Sequence, residues 1–260
     1  SLQADMVVLA IGVTPDTTLA KEAGLELGIK ESIVVNDRME TSVPDIYAAG
    51  DAVQVKHYVT GNDALISLAG PANKQGRIIA DNICGGDSRY LGSQGSSVIK
   101  VFDMTATTTG INETNAKKSG LEVDTVILSP MSHAGYYPGG KVMTMKVVFE
   151  KESYRLLGAQ IIGYEGVDKR IDVLATAIHA GLNATQLKDL DLAYAPPYSS
   201  AKDPVNMAGF MIDNIAKGTL KQWHLEDMDK ISKDKDEVLI DVRTVGEFSR
   251  GHIDGFKNIP

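Results

Sequence analysis

The sequence predicts an α/β unit, then an α+β domain, then the opening of a second α/β unit. Three observations predict it. The run Asp5-Met6-Val7-Val8-Leu9-Ala10-Ile11-Gly12 is continuously apolar and closed by glycine, the pattern of a strand buried on both faces of a parallel sheet. Further on, Met143, Met145, Val147 and Phe149 alternate with Val142, Thr144, Lys146 and Val148, the period of a half-buried strand. Near the end, Glu237-Val238-Leu239-Ile240-Asp241-Val242 repeats the buried-strand pattern.

The remaining elements follow in order. After the first strand come a turn at Thr14-Pro15-Asp16 and a short helix over Leu19 to Ala23, ended by Gly24. Residues 31–96 continue as α/β material, with a strand carrying Asp45-Ile46-Tyr47-Ala48-Ala49-Gly50-Asp51 and a helix from about Pro71 to Ile83 that stops at Gly85-Gly86. From Ser97 the character changes. Leu156 to Gly163 follows the polar turn Lys151-Glu152-Ser153, so an antiparallel hairpin is expected. Ile171, Leu174, Ala175 and Ile178 recur at helical spacing, as do Val205, Gly209, Ile212 and Ala216. Residues 97–220 are therefore read as a separate α+β domain, and the polar stretch Trp223 to Asp236 as a linker with a short helix. A first strand buried on both faces needs neighbours that precede it, and the last unit stops at Pro260 soon after its opening. The chain is accordingly expected to be cut at both ends.

Composition narrows the function classes. With 260 residues, 43% hydrophobic and 23% charged, the chain can build one large or two modest cores. A net charge of -8 gives no broad cationic field, so nucleic acid is not an expected partner. No apolar run approaches the ~20 residues of a bilayer span, and the start carries no signal-peptide pattern; a cytoplasmic protein with no membrane partner is expected. The single cysteine, Cys84, excludes an internal disulfide, and its place near a helix C-terminus, where the dipole disfavours a thiolate, gives it a structural role. The five histidines show no close pairing, so no metal site is expected.

Three segments carry chemistry. In Thr41-Ser42-Val43-Pro44-Asp45-Ile46-Tyr47-Ala48-Ala49-Gly50-Asp51, a strand delivers Gly50 where backbone can approach a ligand, and Asp51 can accept hydrogen bonds from hydroxyls. An ordinary strand ending in a Gly-Asp turn has the same look. In Leu68-Ala69-Gly70-Pro71-Ala72-Asn73, a proline in a first helical turn leaves N–H groups that favour an anion, or simply starts a surface helix. The third is Tyr194-Ala195-Pro196-Pro197-Tyr198-Ser199-Ser200-Ala201-Lys202, together with Tyr136-Tyr137-Pro138-Gly139-Gly140. A phenol is a good donor to a thiolate and a poor base at neutral pH, although tyrosines in such loops also pack with their hydroxyls in water.

The first segment, an aromatic-Ala-x-Gly-Asp ending after a threonine, resembles the second flavin-binding motif of the pyridine nucleotide-disulfide oxidoreductases. That resemblance implies FAD held by Thr41, Gly50 and Asp51, with Leu68, Ala69, Pro71 and Ala72 beneath the isoalloxazine. It makes Gly12, in Ala10-Ile11-Gly12-Val13-Thr14-Pro15, a cofactor contact where the NAD(P)H domain returns to the flavin domain. The tyrosine loop lacks the histidine of glutathione-reductase-like members and resembles the single-cysteine coenzyme A-disulfide and persulfide reductases. This implies a homodimer in which Tyr194 and Tyr136 serve the flavin or sulfur site across the interface, and Asn73, Lys202 and Tyr198 hold coenzyme A. The family's redox cysteine and glycine-rich motifs belong to an upstream half. Val238-Leu239-Ile240-Asp241-Val242-Arg243, Glu247-Phe248, Gly251-His252-Ile253 and Asn258-Ile259-Pro260 resemble the opening of a rhodanese-like domain, whose cysteine would lie further on.

The resemblance thus divides the chain into the end of a nicotinamide-nucleotide domain (1–30), the C-terminal part of an FAD domain (31–96), a dimerisation domain (97–220), a linker (221–236) and a truncated rhodanese-like start (237–260). The implied reaction is NAD(P)H-driven reduction of a coenzyme A disulfide or persulfide. An NADH oxidase of the same architecture, or a non-catalytic dimerisation module, are the competing readings.

Overall fold

The computed structural model describes residues 2–227 and 238–260. The chain forms two compact units, Ser1–Ala216 and Lys217–Pro260.

In the first unit, residues 2–14 are exposed and form no strand, which corrects the buried strand expected over Asp5–Gly12. A strand of a parallel sheet gains its burial from neighbours on both sides, and no described segment pairs with this run. Helix α1 (Thr18–Glu22) ends before Gly24 as its sequence requires. Strands β1 (Ile33–Val34), β2 (Val53–Lys56) and β3 (Asp63–Ala64) form a small sheet, parallel between β1 and β2 and antiparallel between β2 and β3. Met39, Val53 and Val55 are its buried core, with Ile78 and Ile79 of helix α2 (Ala69–Ile83) packed on them.

The larger sheet takes the order β4-β5-β8-β7-β6 and is antiparallel throughout: β4 Ser97–Val101, β5 Met104–Gly110, β6 Val123–Leu128, β7 Thr144–Glu150, β8 Leu156–Gly163. The expected β7–β8 hairpin is present, and Met145, Val147 and Phe149 are buried as their alternation demands. A bulge at Val148/Phe149 interrupts the period, and Val148 is buried as well. Helix α3 (Glu113–Lys118) follows β5. Helix α4 (Val167–His179) buries Val167, Ile171, Leu174 and Ile178 against β5 and β8. Helix α5 (Pro204–Ala216) packs Val205, Ala208 and Ile212 into the same core, beside the 3₁₀ turn Ala184–Asp189. The edge hairpin of β4 leaves Val98, Ile99, Val101 and Phe102 in solvent.

The second unit holds a 3₁₀ turn (Leu225–Asp227), β9 (Ile240–Asp241), α6 (Val245–Arg250) and β10 (Lys257–Asn258), with β9 and β10 parallel. A reciprocal Thr244/Glu247 cap starts α6. The strand expected over 237–242 is shorter than its pattern and exposed: Val238 and Val242 face solvent, because among the described residues β10 is the one strand that pairs with β9. Glu237 and most of the expected linker helix, with Asp234-Lys235-Asp236, lie outside the described residues. Among the described residues no helix is long and apolar enough to cross a membrane, and no His/Cys/Asp/Glu cluster could hold a metal.

Candidate functional site

Two groups of candidate residues stand apart in the first unit. The first is the turn at 41–51 with the start of α2. The strand expected to deliver Gly50 is instead a chain of turns with one bridge, Glu40 to Tyr47, because the backbone is tied locally: Thr41 Oγ1 donates to Ile46 O at 2.9 Å, and Asp45 has φ +62°. Gly50 still arrives with φ +87°, a conformation that favours glycine. Its N–H donates to the buried Gln75 Oε1 at 2.8 Å, and a Cβ on Gly50 would sit 4.0 Å from that of Ala72, so turn and helix touch. Asp51 is exposed beside them. Helix α2 begins two residues before Pro71, at Ala69, with Leu68 as N-cap and no side chain capping it; its first turn carries no acidic residue. Its leading N–H groups and dipole are open to an anionic or polar ligand. Asn73 turns its amide back to Ala69 O at 3.0 Å. Gly12 is exposed, with φ +90° and open space where a Cβ would stand.

The second group is built from two loops that are remote in sequence. The turn after β6 closes through Tyr137 N to Ala134 O (2.9 Å) and lifts Tyr136; the turn at 195–199 closes through Tyr198 N to Ala195 O (2.9 Å) and follows Tyr194. Ala134 N donates to Ser199 O at 3.0 Å, joining the loops, and the hydroxyls of Tyr136 and Tyr194 meet at 2.8 Å. That bond, ahead of partial desolvation, holds Tyr194 above the ordinary phenol value and so favours its protonated form. Tyr194 and Tyr198 border a cavity of about 540 Å³, also lined by Ser132, Glu165, Lys169 and Arg170. Lys202 is exposed, its ammonium 5.7 Å from the Phe210 ring centroid.

The structure brings the two tyrosine hydroxyls together, and none of Gly50, Asp51 or the α2 residues lines the cavity that Tyr194 borders. Sequence reasoning missed Gln75, Arg170 and Asp203. Arg170 occupies the apolar stripe of α4 with Val167, Ile171 and Leu174, a place where an arginine requires a buried acceptor. Cys84, expected to be structural, is free and exposed at the C-cap of α2: the chain turns away at Gly85 and leaves its thiol in solvent.

Residues 96–204 match the dimerisation domain of the pyridine nucleotide-disulphide oxidoreductases, and residues 1–76 match that family's pyridine nucleotide-disulphide oxidoreductase domain. Both segments belong to this family. Among solved structures, the chain is similar to reduced Bacillus anthracis CoADR-RHD, with 50% identity and a TM-score of 0.94 over 100% of this chain and 46% of that one. It is also similar to an NAD-dependent persulfide reductase from A. fulgidus, with 41% identity and a TM-score of 0.90 over 99% and 46% of the two chains. A curated relative, the CoA-dependent NAD(P)H sulfur oxidoreductase of Pyrococcus abyssi, is 38% identical over 203 residues, 78% of this chain and 45% of its own. The chain thus spans about half the length of the curated relatives it matches. Both candidate groups lie within the matched segments: Gly12 to Ala72 in one, Tyr136, Tyr194, Tyr198 and Lys202 in the other.

Proposed function

We propose that this chain serves an FAD-dependent, NAD(P)H-consuming reductase of coenzyme A disulfide or persulfide sulfur. The hydrogen-bonded Tyr136–Tyr194 pair carries the reading. With Tyr194 held in its protonated form, the pair can offer a hydrogen bond to a thiolate without competing for it as a base, which suits release of sulfur from a coenzyme A disulfide. The names of the similar proteins, which include CoA-dependent and persulfide activities, support the same class.

The residues present fit FAD. A positive-φ glycine, an exposed aspartate for ribityl hydroxyls and an uncapped helix start lie side by side, so Thr41, Gly50, Asp51, Leu68, Ala69, Pro71 and Ala72 would hold it, with Gly12 proposed as a further contact. When bound, the flavin accepts hydride from NAD(P)H and supplies electrons to sulfur. Asn73, Tyr198 and Lys202 would hold coenzyme A, the lysine as a point charge on phosphate.

The separation of the tyrosine cavity from the flavin residues supports a homodimer in which each subunit lends its tyrosines to the other. The exposed apolar residues Val98, Ile99, Val101 and Phe102 add surface suited to such an interface. The proposed division is flavin and nicotinamide domain remnants at 1–30 and 31–96, dimerisation domain at 97–220, linker at 221–236, and a rhodanese-like start at 237–260. The last is supported by the Asp241–Arg243 ion pair and by Asn258 donating to the carbonyls of Asp241 and Arg243, which close that motif on itself. A cytoplasmic setting accords with the single unpaired cysteine.

The test is turnover of the full-length protein with NAD(P)H and coenzyme A disulfide, compared with oxygen. Efficient disulfide reduction is expected; oxygen as the better acceptor selects the oxidase reading. A monomer by sedimentation at micromolar concentration removes the shared-site arrangement.

A further inference from the structure

Beneath the two tyrosine loops lies a charge that solvent does not reach. Arg170 is 1% exposed and Asp203 3%, and they pair at 3.0 Å. The guanidinium is spread over every nearby element. Nε reaches Asp203 Oδ2 at 3.1 Å and Nη1 reaches Gly166 O at 3.0 Å. Nη2 reaches Ser132 O at 2.9 Å, Ser199 Oγ at 3.1 Å and Tyr198 O at 3.4 Å. Ser132 stands at the root of the loop bearing Tyr136; Tyr198 and Ser199 belong to the loop bearing Tyr194. Asp203 is fixed in turn by Ser199 Oγ, which donates to it at 2.7 Å, and by capping α5 through Val205 N at 3.0 Å. The surroundings are shaped to the guanidinium: Gly166 has φ +65°, and a Cβ there would lie 2.1 Å from Arg170 Nη1.

A buried ion pair adds little net stability over a well-packed apolar pair, but its donors and acceptors accept few geometries. We propose that Arg170, anchored by Asp203, is a positioning residue that sets the loops so that the Tyr136 and Tyr194 hydroxyls meet. This rests on the reading that the tyrosine pair serves sulfur reduction. Every guanidinium nitrogen of Arg170 is bonded to Asp203, Ser199 or a backbone carbonyl, so the role assigned to it runs through the loops, and its loss should appear in the step that needs the tyrosines. Lysine keeps the charge and can hold Asp203, but one ammonium cannot span the carbonyls of Ser132, Gly166 and Tyr198 together.

The experiment is a double-mutant cycle in the full-length enzyme, combining Arg170→Lys with Tyr194→Phe and reading kcat with coenzyme A disulfide alongside the rate of flavin reduction by NAD(P)H. Arg170→Lys is expected to lower kcat about tenfold, leave flavin reduction unchanged, and add little once Tyr194 is already phenylalanine. A folded Arg170→Lys enzyme with full kcat, or one whose loss multiplies fully with that of Tyr194→Phe, overturns the proposal. If Arg170→Lys does not fold, Ser199→Ala removes one link of the same network, and the same non-multiplicative loss is required of it. A slow Tyr194→Phe beside a full-rate Arg170→Lys removes the positioning role alone; a full-rate Tyr194→Phe removes the functional reading and this proposal with it.

Discussion

The hydroxyl oxygens of Tyr136 and Tyr194 lie 2.8 Å apart although the residues are 58 positions apart in the chain. One of them donates to the other, so the pair has one proton left to offer outward, and removing either hydroxyl changes what the other can do. Tyr136 is 77% exposed and Tyr194 45%, so Tyr194→Phe should leave folding stability within about 0.5 kcal/mol of the parent. The lost donor to a charged sulfur is worth roughly 1.5–3 kcal/mol, which lowers kcat with coenzyme A disulfide by about ten- to a hundredfold. Adding Tyr136→Phe should cost less than the product of the two single effects. Steady-state kinetics with thermal melts on the three variants of the full-length enzyme check this; a Tyr194→Phe enzyme at full rate counts decisively against it.

Lys202 differs in kind. Its ammonium is exposed, 5.7 Å from the Phe210 ring centroid and outside the tyrosine cavity. As a phosphate partner it contributes to binding alone, so Lys202→Ala should raise the KM for coenzyme A substrates by about tenfold. It should spare flavin reduction by NAD(P)H. An unmoved KM would place coenzyme A elsewhere.

What could be read in the sequence was what short-range periodicity encodes. The β7–β8 hairpin was legible because Met145, Val147 and Phe149 alternate, and α4 because Ile171, Leu174 and Ile178 recur at helical spacing. The runs at Asp5–Gly12 and 237–242 have the composition of buried strands, yet burial in a parallel sheet comes from neighbours, which no local pattern contains. The 41–51 segment kept its glycine and aspartate while losing its strand, since Thr41 and Asp45 bend the backbone. Arg170–Asp203 is a tertiary relationship across 33 residues, and its one local trace was a charge on an apolar helix face.

Glu113 gives a pH prediction. Its carboxylate accepts from Lys117 Nζ at 2.5 Å and from Lys146 Nζ, which ties α3 to β7, and it is held well below its ordinary 4.5, at about 2, chiefly by the Lys117 bond and then the Lys146 bond. The folded value lies below the unfolded one, so the stabilisation is complete above about pH 4.5 and is lost as pH falls toward 2. The groups are partly exposed, and solvent screening reduces the contribution to about 1 kcal/mol. Glu113→Gln should therefore lower stability at pH 7 and flatten its decline between about pH 5 and about pH 2.5, a range that spans most of that window. Urea melts across that range check it, and parallel curves for parent and variant would show that the carboxylate does not carry the effect.

Gln75 links the core to the flavin turn. Its Oε1 accepts the Gly50 N–H at 2.8 Å while its side chain is buried in α2, and the Tyr90 hydroxyl bonds to the same side chain. Gly50 holds φ +87° at the point where the chain must approach a cofactor, so its N–H has to be satisfied from inside for its outer side to face the ligand. Leucine at 75 fills similar volume and accepts nothing. Gln75→Leu should cost about 1–3 kcal/mol for the orphaned N–H. Because the turn is then free to rotate toward water, the full-length protein should also bind FAD about tenfold more weakly. Asn73→Ala, two positions earlier on the exposed face, loses only a bond to Ala69 O and should leave flavin content unchanged. Flavin absorbance per protein and FAD titration of the apoprotein separate the two variants. Were Gln75→Leu to retain FAD with parental affinity, the turn at Gly50 would be fixed by something other than α2, and its assignment to the flavin site would lose its structural support.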